Sequence, residues 1–310
     1  MPADRRPGYL RSFTQLLKPQ RAKPKPKSRL ASLPPSIARL LTAVVLLPIL
    51  VASILIQKLA LLFVLLVVLA MIIGLFEFWI LAKRQQVKAD VAAGYLSAAA
   101  LLTVFYFTDP GKWIDFGMIQ AIILVLTMGS LAAAMLRGAP FDKMIVSVGA
   151  TVLGVLYVVL LGGHLVAIRM GFEAELSRHL LAFFFLAIMS ADTAAFYGGR
   201  TFGRHKLAPA ISPGKTWEGA VAGMMISLLA AALAHFWFFR ELPLKLALPL
   251  AAVMNVLSVV GDLTESALKR SAGAKDTAQI LPGHGGVLDR IDSLLFNAPL
   301  LYYFARLYFK

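Results

Sequence analysis

Long apolar runs separated by short polar connections dominate this chain. They fall at about nine places, each near the roughly 20 residues that cross a ~30 Å hydrocarbon core as a helix: residues 37–56, 59–81, 91–108, 117–136, 145–167, 179–199, 218–239, 246–268 and 291–308. The runs are continuous rather than alternating, which excludes a membrane β-barrel. The pattern predicts an all-α, polytopic integral membrane protein. Two polar stretches, roughly 192–219 and 262–292, interrupt it as loops. No internal repeat is visible, and the two halves do not look related by inversion.

Composition agrees with this reading. Of the 310 residues, 59% are hydrophobic and 15% charged, and the mean hydropathy is +0.77. The absence of cysteine removes disulfides, thiolate metal sites and thiol catalysis. The formal net charge is +15, yet its distribution argues for membrane orientation rather than nucleic-acid binding. Bases gather after the second, fourth, sixth and eighth runs (Lys83, Arg84 and Lys88; Arg137 and Lys143; Arg200, Arg204, Lys206 and Lys215; Lys269, Arg270 and Lys275). The opposite connections hold little beyond Lys58, Lys112, Arg169, Arg178, Arg240 and Lys245. By the positive-inside rule the N-terminus and both polar stretches face the cytoplasm, so the two stretches can build one site. Trp79, Trp113, Trp237, Tyr302 and Tyr303 fall near run ends, where interfacial anchors belong.

Three regions follow: a basic, proline-containing cytoplasmic tail over 1–35, N-terminal membrane helices over 36–180, and a chemistry-bearing membrane region over 181–310. Within the tail, Tyr9, Leu10, Phe13, Leu16 and Leu17 recur at helical spacing among bases, which suits either a short helix on anionic lipid or a disordered basic segment. No cleavable signal peptide is expected, because the first apolar run starts late and is too long.

Acids and bases concentrate in the second polar stretch. Asp262, Glu265, Ser266 and Lys269 are spaced i, i+3, i+4, i+7 and share one helix face. Asp262 and Glu265 continue an apolar run, and Asp192 interrupts another; ionised carboxylates at such depth are costly and point to function. Glu265 has a plainer explanation as the partner of Lys269. Asp289 and Asp292 open the last run, where acids also suit the helix dipole. Asp262, Ser266 and Asp289 supply hard oxygen ligands with no imidazole or thiolate cluster beside them, a set that prefers Mg²⁺. Pro282-Gly283-His284-Gly285-Gly286 is a glycine turn able to offer backbone N–H groups to an anion, and His284 between glycines suits a polar contact. In Ser212-Pro213-Gly214-Lys215-Thr216-Trp217-Glu218-Gly219, Lys215 and Thr216 offer a cation and a hydroxyl to a phosphate; Thr216 or Ser212 equally suits a helix cap. Glu77, near the end of the second run, reads as snorkelling toward Lys83 and Arg84.

These residues resemble the phosphatidate cytidylyltransferase (CDP-diacylglycerol synthase) family. Its signature is matched by Ser266, Lys269-Arg270, Lys275-Asp276, Ala278, His284-Gly285-Gly286 and Asp289-Arg290-Ile291-Asp292, and Ser212 to Gly219 resembles the family's upstream segment, as does Asp192-Thr193 followed by Tyr197-Gly198-Gly199-Arg200. The resemblance covers the chain well from about residue 185 onward. It implies transfer of CMP from CTP to phosphatidic acid, giving CDP-diacylglycerol and pyrophosphate, with Mg²⁺ or a metal pair. It implies metal ligation by Asp262, Ser266 and Asp289, and charge neutralisation by Lys269, Arg270, Lys275 and Arg290. It places Asp276, His284 and Asp292 in the catalytic set and Asp192, Ser212, Lys215, Thr216, Gly285 and Gly286 around the nucleotide or lipid phosphate. The partners implied are CTP, phosphatidic acid and membrane lipids, with a homodimer left open and no nucleic acid. A bacterial-type inner membrane is the expected location. A transporter, an enzyme transferring CMP to another lipid phosphate, and a CTP-dependent lipid kinase are the alternatives.

Overall fold

The computed structural model describes residues 35–139, 141–277 and 285–309, with side chains from Val44 onward. His284 and the basic tail over 1–34 lie outside the described residues.

Each predicted run corresponds to helix: α1 (Pro35–Leu55), α2 (Ala60–Arg84), α3 (Val91–Tyr106), α4 (Phe116–Leu136), α5 (Met144–Gly154) continued by a π-helical turn (Val155–Leu160) into α6 (Leu161–Met170), α7 (Ala174–Phe202), α8 (Trp217–Trp237), α9 (Leu244–Ser271) and α10 (Leu288–Tyr308). Among the described residues, six helices are long and apolar enough to cross a membrane: 57–84, 116–136, 144–170, 174–202, 217–237 and 244–271. The protein is a multi-pass, all-α membrane protein. Of the nine expected crossings, these six meet that description among the described residues. α3 and the described part of α1 are shorter, and α10 carries Asp289, Arg290, Asp292 and Arg306.

The described parts of the two polar stretches hold more regular structure than loops. α7 continues through Phe202. It leads into an antiparallel hairpin of β1 (Lys206–Ala208) and β2 (Ser212–Thr216), which pairs Lys206 with Thr216 and Ala208 with Ser212. α9 likewise continues through Ser271. The polar residues therefore project from helix ends, whose hydrogen-bonded backbones hold them more firmly than a loop would.

Small residues govern how these helices meet. In lipid there is little hydrophobic drive between helices, so close backbone approach through glycine and alanine carries the packing. α7 and α8 form the most extensive helix pair. A Cβ on Gly219 would lie 2.7 Å from the Ala195 carbonyl oxygen, and one on Gly223 would lie 3.0 Å from that of Ala191. α9 packs on both α8 and α10. A Cβ on Gly261 would lie 2.7 Å from the Asp292 carbonyl oxygen and 3.2 Å from the Phe296 ring. That crossing brings Asp262 beside α10. Gly261→Val is expected to force α9 and α10 apart and destabilise the protein by about 1–3 kcal/mol. The readout is a lower thermal-unfolding midpoint in detergent; an unchanged midpoint would contradict the tight crossing.

The end of the bundle where α1 finishes has its own polar framework. Buried Arg169 donates to the Ser53 and Ile54 carbonyl oxygens at 3.2 and 3.3 Å, and Arg178 donates to that of Leu55 at 3.5 Å. Two cations thus close the C-terminus of α1, where the helix dipole favours them. Buried Arg306 donates to the Gly171 carbonyl oxygen at 2.6 Å and to the Tyr302 hydroxyl at 3.2 Å, and it lies 4.2 Å from the Phe172 ring centroid. The Tyr302 hydroxyl in turn accepts from the Ile114 N–H at 2.9 Å. Tyr302 is therefore a core residue rather than an interfacial anchor. Trp79 is too: it is buried, stands edge-on to Tyr95 and occupies the space that a Cβ on Gly94 would need. Trp113 and Trp237 are exposed, as anchors should be.

Candidate active site

The polar stripe of α9 divides between two neighbours. Asp262 pairs with Lys215, whose ammonium lies 2.7 Å from Asp262 Oδ2 and donates at 3.5 Å to the Val259 carbonyl oxygen. Ser266 Oγ donates to Asp262 Oδ1 at 3.4 Å. Asp192 on α7 and Asp292 on α10 both face the charges of Asp262 and Lys215. Three helices and the hairpin thus converge on three carboxylates and one ammonium. Asp292 is buried, while Asp192 is exposed and Asp262 half-buried.

One turn further along α9, Lys269 pairs with Glu265, as their spacing suggests, and with Asp289, whose Oδ1 lies 2.8 Å away. Glu265 is 1% exposed and Lys269 13%, so this is a buried ion pair with little solvent screening. Asp289 Oδ2 accepts from the Gly286 N–H at 2.9 Å and from the Thr277 hydroxyl at 3.2 Å. The structure therefore joins Asp262 to Ser266, but engages Asp289 with Lys269 and the turn before α10.

The remaining predicted residues surround these two groups. Arg270 donates to the Ile211 carbonyl oxygen at 3.2 Å and to that of Ala274 at 3.1 Å, tying the hairpin to the end of α9. Thr216 is buried and caps α8, its Oγ1 accepting from the Gly219 N–H at 3.1 Å. Ser212 opens β2. Lys275 and Asp276 are exposed in the turn after α9, and Arg290 is exposed on the first turn of α10. Gly285 has φ +80°, a left-handed conformation that favours glycine. At Gly286 a Cβ would lie 1.9 Å from Thr277 Oγ1.

Two residues join the site beyond those expected in it. Glu77 is fully buried, and it accepts backbone N–H groups from Val287 and Leu288 rather than snorkelling toward Lys83 and Arg84. Tyr157 lies on the π-helical turn and packs against Phe296 and Phe78. Its buried hydroxyl has no hydrogen-bond partner among the described residues and lies within electrostatic reach of Asp292, Glu265 and Asp262. Single π-turns inside α-helices recur at functional sites. Glu77 was visible as an acid in an apolar run. Tyr157 had no comparable signal, because a tyrosine in a membrane helix is ordinary.

Against this geometry, the profile described as the cytidylyltransferase family matches residues 37–308. The chain belongs to the cytidylyltransferase family. The phosphatidate cytidylyltransferase of Bacillus subtilis is 32% identical over 76% of this chain and 86% of its own length. That of Staphylococcus saprophyticus is 32% identical over 71% and 82%. That of Haemophilus influenzae is 45% identical over 40% of this chain and 45% of its own length. The family match spans both the N-terminal helices, which supply Glu77 and Tyr157, and the region holding the polar groups.

The donor chemistry of this family member suits a hard cation. Asp262 and Ser266 present oxygen only, and Asp192, Asp262 and Asp292 outnumber the lysine they share. Among the described residues, no three His, Cys, Asp or Glu side chains close on a single point as a metal cage. Mg²⁺ needs no such cage, since it is typically held by one or two carboxylates with water and phosphate oxygens completing its shell.

Proposed function

We infer that this cytidylyltransferase-family protein is a phosphatidate cytidylyltransferase of phospholipid biosynthesis. It transfers CMP from CTP to phosphatidic acid, giving CDP-diacylglycerol and pyrophosphate. The observation that carries the reading is the joining of two features in one place. The polar groups of Asp192, Lys215, Asp262, Ser266 and Asp292 converge at the ends of long apolar helices, and the relatives matching over most of the chain are phosphatidate cytidylyltransferases. A site at a membrane border is where a soluble nucleotide and a membrane-held lipid can meet.

The chemistry asks mainly for positioning and charge neutralisation. A phosphate monoester has its second pKa near ~6, so the lipid phosphate already carries a nucleophilic oxygen at neutral pH. That oxygen attacks the α-phosphorus of CTP, and the bond to the bridging oxygen breaks as pyrophosphate departs. Lys215, held near the end of β2, places a cation beside Asp262 for an incoming phosphate. Lys269 and Arg290 lie on the side where Asp289 begins α10, suited to offsetting charge on the leaving group. Gly285 and Gly286 shape the turn before α10, but the Gly286 N–H is already taken by Asp289 Oδ2, so the anion-binding role expected for this turn falls to the neighbouring cations instead. Asp262 and Ser266 would hold Mg²⁺, with Asp289 as a further ligand once it is freed from Lys269. When bound, the ion supplies charge neutralisation on the triphosphate and in the transition state. The basic residues on the connections that carry the site support a cytoplasmic orientation in a bacterial-type inner membrane.

The test is pyrophosphate release by purified, detergent-solubilised protein. Release is expected only when CTP, phosphatidic acid and Mg²⁺ are all present. Release equally fast without the lipid would reject the acceptor. CTP binding without any release would direct attention to another lipid phosphate.

A further inference from the structure

The capping of α10 draws on a residue from the opposite half of the chain. Val287 and Leu288 open α10, and no side chain of that turn caps it. Their N–H groups instead donate to Glu77 on α2, Val287 to Oε1 at 2.9 Å and Leu288 to Oε2 at 2.7 Å. The Thr277 hydroxyl lies 3.2 Å from Glu77 Oε2 and also 3.2 Å from Asp289 Oδ2. From Asp289 the contacts continue to Lys269 and on to Glu265. One turn before Glu77, a Cβ on Gly74 would lie 3.3 Å from Ile291 Cδ1 and 3.8 Å from Leu288 Cδ1, so α2 lies closely along the start of α10. A Cβ on Gly286 would come within 2.7 Å of Glu77 Oε2, which explains why this turn requires glycine.

An acid this deeply buried is costly unless its oxygens are satisfied. Here two backbone donors satisfy them, with the single Thr277 O–H shared between Glu77 and Asp289, at a helix N-terminus whose dipole favours negative charge. We propose that Glu77 is a positioning residue for CMP transfer: it caps α10 from α2 and, through Thr277, sets the orientation of Asp289 and hence of Lys269. This rests on the reading that Asp289 and Lys269 serve the transfer reaction. Glu77 itself touches neither substrate nor reacting atoms.

The test compares Glu77→Gln, Glu77→Asp and Glu77→Ala in the purified full chain by three measurements: steady-state kinetics with CTP and phosphatidic acid, thermal unfolding, and hydrogen exchange of the Val287 and Leu288 amides. Glutamine keeps the shape but turns an NH₂ toward one of two N–H donors. Its kcat is expected to fall about 10–100-fold, the range seen when groups that orient active-site residues are removed, with KM for CTP changed less than about threefold. Exchange at Val287 and Leu288 should accelerate in Gln and Ala. Aspartate, keeping both oxygens on a shorter arm, should recover part of the activity that Ala loses. Unchanged exchange at the two amides would overturn the cap. A loss of rate accounted for by the unfolded fraction alone would overturn positioning in favour of a purely structural role. Exchange does not depend on turnover, so an unsubstituted protein that failed to transfer CMP would defeat the functional reading and the positioning role with it, while the cap would still be judged.

Discussion

Asp262→Asn is expected to slow CMP transfer by at least ~100-fold, the scale of removing one preorganised electrostatic contact in an active site. The amide is nearly isosteric and can still face Ser266 Oγ at the position of Oδ1, so the crossing of α9 and α10 at Gly261 should survive. What changes is charge. Lys215 loses the carboxylate 2.7 Å from its ammonium, and the oxygen proposed to hold the cation becomes a weaker ligand. The loss should be greatest at low Mg²⁺ and partly relieved as Mg²⁺ is raised. Initial rates across a Mg²⁺ titration, beside helix content by circular dichroism, make the check. A folded variant within about threefold of the original rate would remove Asp262 from the reaction.

Asp289→Asn should cost about 10²–10³-fold in rate and also lower stability. Oδ1 faces the Lys269 ammonium, and Oδ2 faces the Gly286 N–H. Whichever way the amide is turned, its NH₂ meets a donor. A buried donor is then left unsatisfied, at a cost of about 1–3 kcal/mol, and Lys269 retains only Glu265 as a carboxylate partner. The unfolding midpoint and the rate should therefore both fall, whereas Asp262→Asn should affect rate far more than stability. If the two variants matched in both measurements, the division of the α9 stripe into two groups would be wrong.

The membrane helices were legible because run length and apolarity are one-dimensional properties of the chain, and every predicted run became a helix. The α9 stripe was legible for a related reason, since i, i+3, i+4 and i+7 share a face wherever the helix lies. Which neighbour each member meets was not. Lys215 reaches Asp262 only because the Ser212–Thr216 segment folds into a hairpin strand packed on α7 and α8. Lys269 finds Asp289 because α10 begins where α9 ends. The role of Glu77 is hidden in the sequence for the same physical reason: Lys83 and Arg84 are close in sequence, whereas its partners are the amides of Val287, 210 residues away, and Leu288, 211 residues away. Tyr302 and Trp79 resemble interfacial anchors in the sequence because a position near a span end looks the same whether the ring meets lipid headgroups or a neighbouring segment folds over it. The glycines of α7 and α8 read as motif letters, and the structure shows them to be contact points between backbones.

The most direct measurement follows the two ends of CTP separately. The purified protein is given phosphatidic acid, Mg²⁺ and CTP labelled either at the α-phosphate or at the γ-phosphate, and the lipid is extracted. Cytidylyl transfer predicts that α-label enters the lipid while γ-label leaves as pyrophosphate, with both signals lost in Asp262→Asn. Label entering the lipid from the γ-position would show a kinase and contradict the account, and so would failure of α-label to enter any lipid by a folded protein supplied with both substrates.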